Sequence, residues 1–182
     1  MKVILASRSP ERARILEDLG FTFDVISADI DESPLTGESV QEIVLRLALG
    51  KAQHIHTLHQ ASVIAADTLI ELEGEALGQP KDLSEAKQML ERYKSNFPRV
   101  WTSTVWISKK GEVHSNVEKA DIVLNELNVT EWSQFWDKEL WKKRAGAFSI
   151  FDKPCPLKIS QGNLEVVRGI NSKWLKEQSK RI

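Results

Sequence analysis

Val3-Ile4-Leu5-Ala6-Ser7-Arg8-Ser9-Pro10 reads as a strand that runs through a polar turn into a helix. Four apolar residues make a short buried strand. Ser9 is a hydroxyl N-cap, and Pro10 takes the first helical position, where its missing N–H is no loss. Ile15, Leu16 and Leu19 supply an apolar face, and Gly20 is a C-terminal stop. Such a junction aims free backbone N–H groups and the positive end of the helix dipole at one spot. Ser7, Ser9 and Arg12 add hydroxyls and a guanidinium there, which suit a phosphate. An ordinary helix cap with exposed arginines reads the same on pattern alone. The turn lacks the glycines of a P-loop, so a Walker-type nucleotide site is not indicated.

Outward from this junction, residues 21–26 read as a second strand. Ser39 caps a long helix with Val40, Val44, Leu47, Lys51 and Ile55 in one stripe. Val63–Leu72 is an apolar strand except for Asp67 and Thr68 at its centre. The turn Gly78-Gln79-Pro80 leads to Asp82 and Ser84, which start a helix with Ala86, Met89 and Leu90 inward. Residues 100–108 alternate as a strand, and Lys109-Lys110-Gly111 turns it into 112–116 as a hairpin. A further strand is expected at 121–127, a helix capped by Thr130, short strands at 147–151 and 164–167, and a terminal helix from Ser172. Strands and helices mix without strict alternation, which predicts an α/β fold: a mixed, twisted sheet with helices on its faces. No composition break marks a linker, so 1–182 is read as a single domain.

The chain has 182 residues, 41% hydrophobic and 28% charged, enough for one sizeable core. Its 25 Lys and Arg against 26 Asp and Glu leave a net charge of -1. That balance argues against gripping nucleic acid or an anionic membrane through net charge, while leaving room for a local basic pocket. The single cysteine, Cys155, excludes an internal disulfide framework and a multi-cysteine zinc site, and it fits a cytoplasmic protein. The apolar opening is cut off by Ser7-Arg8-Ser9, too early for a signal peptide, and no run approaches bilayer length. The charge run at 173–181 reads as a solvated helix end. Six tryptophans accompany one tyrosine. Trp101, Trp106, Trp132, Trp136, Trp141 and Trp174 all lie in the second half, as core or as partner surface.

Three features carry chemistry. A carboxylate inside Ile64-Ala65-Ala66-Asp67-Thr68-Leu69-Ile70 is costly unless paired, hydrogen-bonded or metal-bound, and no turn residue adjoins it. Lys51 lies in an apolar stripe, so its stem points inward; snorkelling to the core edge is the plain explanation. Asp31-Glu32 is an acidic pair on a loop, a kind of motif that is usually solvated. Together they would give one site carboxylates for a divalent metal or for water activation, with a lysine and an arginine for phosphate. Hydrolysis of a nucleoside triphosphate needs those parts. His54, His56 and His59 share a helix, but i,i+2 spacing does not aim two rings the same way.

The order of these motifs resembles the Maf family of nucleoside triphosphate pyrophosphatases (septum formation protein Maf-like), over nearly the whole chain. Residues 5–12 look like its opening signature and Ile30-Asp31-Glu32 like its acidic segment. Arg46-Leu47-Ala48 with Lys51-Ala52 resembles its helix motif, and Ala66-Asp67-Thr68 its central motif. Gly78-Gln79-Pro80 and Ala145-Gly146-Ala147-Phe148 resemble its later turns. The resemblance implies an inosine triphosphatase-like fold, an elongated body of two lobes with a central cleft. It also implies hydrolysis between the α- and β-phosphates, to a monophosphate and pyrophosphate, with magnesium, manganese or cobalt. By the same analogy Asp67 accepts the proton of the attacking water. Ser7, Arg12, Lys51, Thr68 and Gln79 bind substrate, and Glu32 with Asp67 holds metal. Arg12, Thr68 and Phe151 fall at positions tied to specificity. Thr68 matches the branch acting on dTTP and UTP; the branch acting on 7-methylated GTP typically has glutamine there. A homodimer is implied, because relatives are often dimers.

The chain is a divergent member by this comparison. Glu11 stands where the family has arginine, Gln79 where it has lysine, and Lys143-Arg144 where it has aspartate-lysine. Phe151 replaces a glutamine, and Gly169-Ile170-Asn171 the closing glycine-leucine-proline. Each lost charge-assisted contact costs roughly 1.5–3 kcal/mol, on the order of 10- to 100-fold in rate if lost in the transition state. Two readings follow: an active pyrophosphatase retuned in rate or base, or a weakened or inactive nucleotide-binding protein on the same scaffold.

Overall fold

The computed structural model describes residues 2–180. In chain order the elements are β1 (Lys2–Leu5), α1 (Pro10–Asp18), β2 (Thr22–Val25), α2 (Val40–His59), β3 (Val63–Leu72), β4 (Glu75–Leu77) and α3 (Leu83–Arg92). There follow β5 (Arg99–Ile107), β6 (Val113–Leu124), α4 (Val129–Asp137), a 3-10 turn (Ala145–Ala147), β7 (Leu157–Gln161), α5 (Leu164–Arg168) and α6 (Ser172–Gln178). Among the described residues the strands make one seven-stranded sheet in the order β2-β1-β3-β5-β6-β7, with β4 on β3. β1 is parallel to both β2 and β3, whereas β3–β4 and β6–β7 are antiparallel, so the sheet is mixed as expected. Parallel neighbours need crossovers, and α1 and α2 provide them. No helix among the described residues is long and apolar enough to cross a membrane.

The helix starts follow their local chemistry. Ser9 caps α1 with Pro10 behind it, and Ser39 with Glu42 forms a full capping box on α2. Asp82 caps α3.

The chain divides into two compact units. The first comprises Met1–Thr68, Trp101–Glu118 and Glu165–Ile182. Within it, Val3, Leu5, Ile64, Ala66 and Trp106 pack against Ile15 and Leu16 of α1 and Leu175 of α6. On the other face, Ile4, Ala6, Val63, Ala65, Val105 and Ile107 pack against Ala48, Ala52 and Ile55 of α2. Strand alternation sorts the two sets. The second unit, Leu69–Val100 and Lys119–Leu164, has its own core around Tyr93, whose hydroxyl donates to the Gly146 carbonyl at 2.9 Å. The tryptophans divide between roles. Trp106 is fully buried and donates to Ser62 Oγ at 2.7 Å. Trp132 and Trp136 stack at 5.9 Å on α4, with Lys87 over the Trp136 ring at 5.6 Å.

Several expected elements differ. The expected strands at 112–116 and 121–127 merge into one, β6 (Val113–Leu124), because the chain between them stays extended; 125–127 lies beyond its end. Asn128, not Thr130, caps α4, in a capping box with Glu131. Segment 147–151 is not a strand: Gly146 and Ala147 take positive φ (63° and 65°), which breaks an extended run. Segment 164–167 is helix α5; a short apolar run has no period to tell strand from helix. Strands β4 and β7 were not expected. β4 folds back through Glu73-Gly74, both at positive φ, a tight hairpin turn with glycine at its second place. In the C-terminal charge run Lys173, Lys176 and Lys180 are exposed, while Leu175 and Gln178 are buried; Arg181 lies outside the described residues.

Candidate active site

Asp67 follows Val63 and Ala65 on the α2 face of β3, and Lys51 follows Ala48 on the helix that covers it. The Lys51 Nζ sits 2.6 Å from Asp67 Oδ1 and 2.8 Å from Glu32 Oε1. The lysine read as snorkelling to the core edge, or by resemblance as holding phosphate, here bridges two carboxylates. The Asp67 side chain is 9% exposed and Glu32 56%, so the lysine links a buried carboxylate to a solvated one. A buried carboxylate needs such a partner, since losing it strands the charge in a poor solvent. The other oxygen, Asp67 Oδ2, is buried with no hydrogen-bond partner among the described residues.

The loop carrying Glu32 is tied down from α2. Arg46 donates to both oxygens of Glu38, at 2.6 and 2.8 Å, and to the Ser33 carbonyl at 3.0 Å. Asp31 Oδ1 accepts the Ser33 N–H at 2.9 Å, which holds the Asp31 pKa below its ordinary value. At Gly50, one residue before Lys51, a Cβ would come within 3.2 Å of the Ile30 side chain. Glycine there lets the acidic loop approach the helix.

Thr68, the next residue, faces the opposite way and meets Arg12. The guanidinium donates from Nε to the Gly169 carbonyl (2.8 Å), from Nη1 to Ser7 Oγ (3.1 Å) and the Ala66 carbonyl (2.7 Å), and from Nη2 to Thr68 Oγ1 (3.0 Å). Those contacts use four of the five N–H groups an arginine has. Burial pushes its pKa down, and the charges of Asp67 and Glu32 pull it back up. Arg12 thus binds protein groups first, with one N–H left for the phosphate expected of it. Ser7 Oγ also accepts the Ser9 N–H at 3.2 Å.

Ser7, Arg12, Glu32, Lys51, Asp67 and Thr68 all lie in the first compact unit, where these contacts make two groups, Ser7–Arg12–Thr68 and Glu32–Lys51–Asp67, on either side of the Asp67–Thr68 peptide. Gln79 and Phe151 belong to the second unit, where both are exposed. Glu11 pairs with Arg168 at 3.3 Å and Arg14 at 3.5 Å. Arg144 forms a two-pronged pair with Asp152 at 3.1 Å on each prong. Asn171 caps α6.

Sequence reasoning missed Thr102, Ser103 and Gly169. Thr102 Oγ1 is 2.8 Å from Thr68 Oγ1 and donates to the Val166 carbonyl at 2.6 Å. Ser103 Oγ is buried without a partner among the described residues. The signal was available: Thr102-Ser103-Thr104 is a run of three hydroxyls inside an otherwise apolar strand. At Gly169 (φ 89°) a Cβ would lie 2.9 Å from Thr68 Oγ1 and 3.2 Å from Arg12 Nε.

The residues present fit a divalent cation in one respect. Asp67 and Glu32 offer hard oxygen donors, and Asp67 Oδ2 is unpaired. Among the described residues, no three His, Cys, Asp or Glu side chains cluster, so two carboxylates would share the ion with substrate oxygens.

Comparison with known proteins places the chain in a family. The profile described as "Maf-like protein" matches residues 2–178. A protein named dTTP/UTP pyrophosphatase from Pseudoalteromonas atlantica is 32% identical over 153 residues, covering 81% of this chain and 79% of that protein. One of the same name from Caldanaerobacter subterraneus is 36% identical over 155 residues, covering 82% and 73%. Among solved structures, the Staphylococcus aureus Ham1 protein superposes with TM-score 0.59 at 14% identity, covering 100% of this chain and 99% of that one. At that identity the likeness speaks for the fold alone. With a profile match over nearly its whole length and relatives above 30% identity, the chain belongs to the Maf family.

Proposed function

We propose that this protein hydrolyses a nucleoside triphosphate between its α- and β-phosphates, with a dTTP- or UTP-like substrate. The observation that carries the reading is the split environment of Asp67: Lys51 holds Oδ1, and Oδ2 is buried and unpaired. A carboxylate so placed is oriented at one oxygen and free to take a proton at the other. Water attacks the α-phosphorus and gives up its proton to Asp67 Oδ2, and the bond from that phosphorus to the β-phosphate oxygen breaks. Monophosphate and pyrophosphate leave. Ser7 donates its hydroxyl hydrogen to a phosphate oxygen, and Lys51 balances charge beside the base. Asp67 and Glu32 would hold a magnesium, manganese or cobalt ion, which would supply charge neutralisation for the phosphates. The substrate class rests on the names of the relatives and on Thr68. Gln79 and Phe151 enter the proposal as substrate and specificity positions, and a cytoplasmic setting accords with the free, buried Cys155.

A second reading, binding without turnover, draws on the positive charge the site has committed elsewhere. Arg12 is held by protein oxygens, and the carboxylate at Glu11 is bound by Arg168. Pyrophosphate release from a panel of canonical and modified nucleotides with each metal decides between them. Turnover that falls about 10²–10⁴-fold in Asp67→Asn is the expected result; undiminished release in that variant removes Asp67 as the base. Nucleotide binding with no release across the panel establishes the second reading.

A further inference from the structure

Hydrogen-bond arithmetic around Arg12 fixes the polarity of two hydroxyls. An arginine only donates, and a backbone carbonyl only accepts. Thr102 gives its hydrogen to the Val166 carbonyl, at 2.6 Å. The 2.8 Å contact between Thr102 and Thr68 then has one direction left: Thr68 donates to Thr102. Thr68 Oγ1 meanwhile accepts from Arg12 Nη2. Its hydrogen and one lone pair are committed, so its remaining capacity is to accept one more bond. Ser7 is the reverse case. Its oxygen accepts from Ser9 N–H and Arg12 Nη1, which leaves its hydrogen free to donate.

We infer that Thr102 is a positioning residue that makes Thr68 an acceptor, so that the nucleoside of the substrate must present an N–H or O–H group to it. This rests on the reading of Thr68 as a substrate contact given above. Thr68 is half-buried, so it is not sealed in the core, and Gly169 puts no side chain over its hydroxyl. The chemistry that satisfies the remaining lone pair is an imide N–H, as in uracil and thymine, or a sugar hydroxyl. Cytosine offers an acceptor nitrogen at the imide position and would leave two acceptors facing one another. Ser7, with its free hydrogen, suits the phosphate end, so the two hydroxyls sort the ends of one ligand.

The variant Thr102→Val keeps the shape and removes both the donor and the acceptor. The Val166 carbonyl still receives the Gly169 N–H at 3.1 Å, and Thr68 gains a free hydrogen. Binding of α,β-methylene UTP is compared with that of the CTP, 2′-deoxy-UTP and 3′-deoxy-UTP analogues, in wild type, Thr102→Val and Thr102→Ser. The expected result is a fall of about tenfold in one discrimination ratio in Thr102→Val, with wild-type ratios in Thr102→Ser. A change in UTP over CTP assigns the donor to the base; a change in a deoxy ratio assigns it to the sugar. Unchanged ratios in a folded Thr102→Val overturn the inference, as does a wild type that binds the analogues without discrimination. If Thr102→Val does not fold, Thr68→Val carries the same test, with loss of the same ratio expected and its retention overturning. Because the readout is binding, a protein that shows the ratio change but releases no pyrophosphate refutes the proposed reaction and leaves this inference standing.

Discussion

Asp67 and Thr68 are neighbours on β3 that face opposite sides of the sheet, and their surroundings are built on opposite principles. Asp67 has one oxygen clamped by Lys51 and one buried oxygen left without a partner. Thr68 has its hydrogen and a lone pair taken up by Thr102 and Arg12. An unpaired buried polar atom is costly, and that cost is the ground on which Asp67 Oδ2 is proposed as the reacting oxygen. The Thr68 network, in which one lone pair alone stays open, holds shape and polarity constant. Removing a partner on the Asp67 side should therefore strand a charge, whereas disturbing the Thr68 side should shift a fixed frame.

The sharpest way to break this contrast is Lys51→Met. It leaves the Asp67 carboxylate buried without its cation, at an expected loss of about 3–5 kcal/mol in denaturant unfolding. Adding Asp67→Asn should recover much of that loss, because the stranded charge is gone; additive losses in the double variant would show that the two do not interact. On the other side, Gly169→Ala forces a Cβ to a positive-φ position 2.9 Å from the Thr68 hydroxyl. We expect about 1–2 kcal/mol of destabilisation and a lower melting temperature, with Lys51–Asp67 intact. An equally stable Gly169→Ala would mean the Thr68 side tolerates movement.

The smallest effect concerns the loop that presents Glu32. The Arg46 hydrogen bonds hold the Glu38 pKa below its ordinary value. A lowered pKa means a contribution present above the unfolded-state value and lost as pH falls through the folded one. Glu38→Gln should therefore lower stability slightly near neutrality and flatten the acid limb below the ordinary glutamate range. Thermal unfolding against pH measures it, and an unchanged acid limb would assign that limb to other carboxylates.

What was legible from sequence follows the range of the forces involved. The caps at Ser9, Ser39 and Asp82, and the apolar periods of α1, α2 and α3, are written in residues a few positions apart. Asp67 also announced itself, because a charge within an apolar strand is anomalous wherever the strand is placed. Segments 147–151 and 164–167 depart from the strands the sequence predicts, since their short apolar runs carry no decisive period and their backbone is set by positive-φ turns and distant partners.

The sequence by itself determined the strand–turn–helix opening, the capped helices, the mixed α/β class and the candidacy of Asp67 and Lys51, because these rest on local stereochemistry and on the cost of burying charge. Only the tertiary structure decided that Lys51 bridges Asp67 to Glu32, and that Arg12 serves carbonyls and hydroxyls. Its partners at Ala66, Thr68 and Gly169 lie 54, 56 and 157 residues away along the chain. Hydrogen-bond direction is a property of such assembled groups: which hydroxyl donates follows from what every neighbour has already accepted.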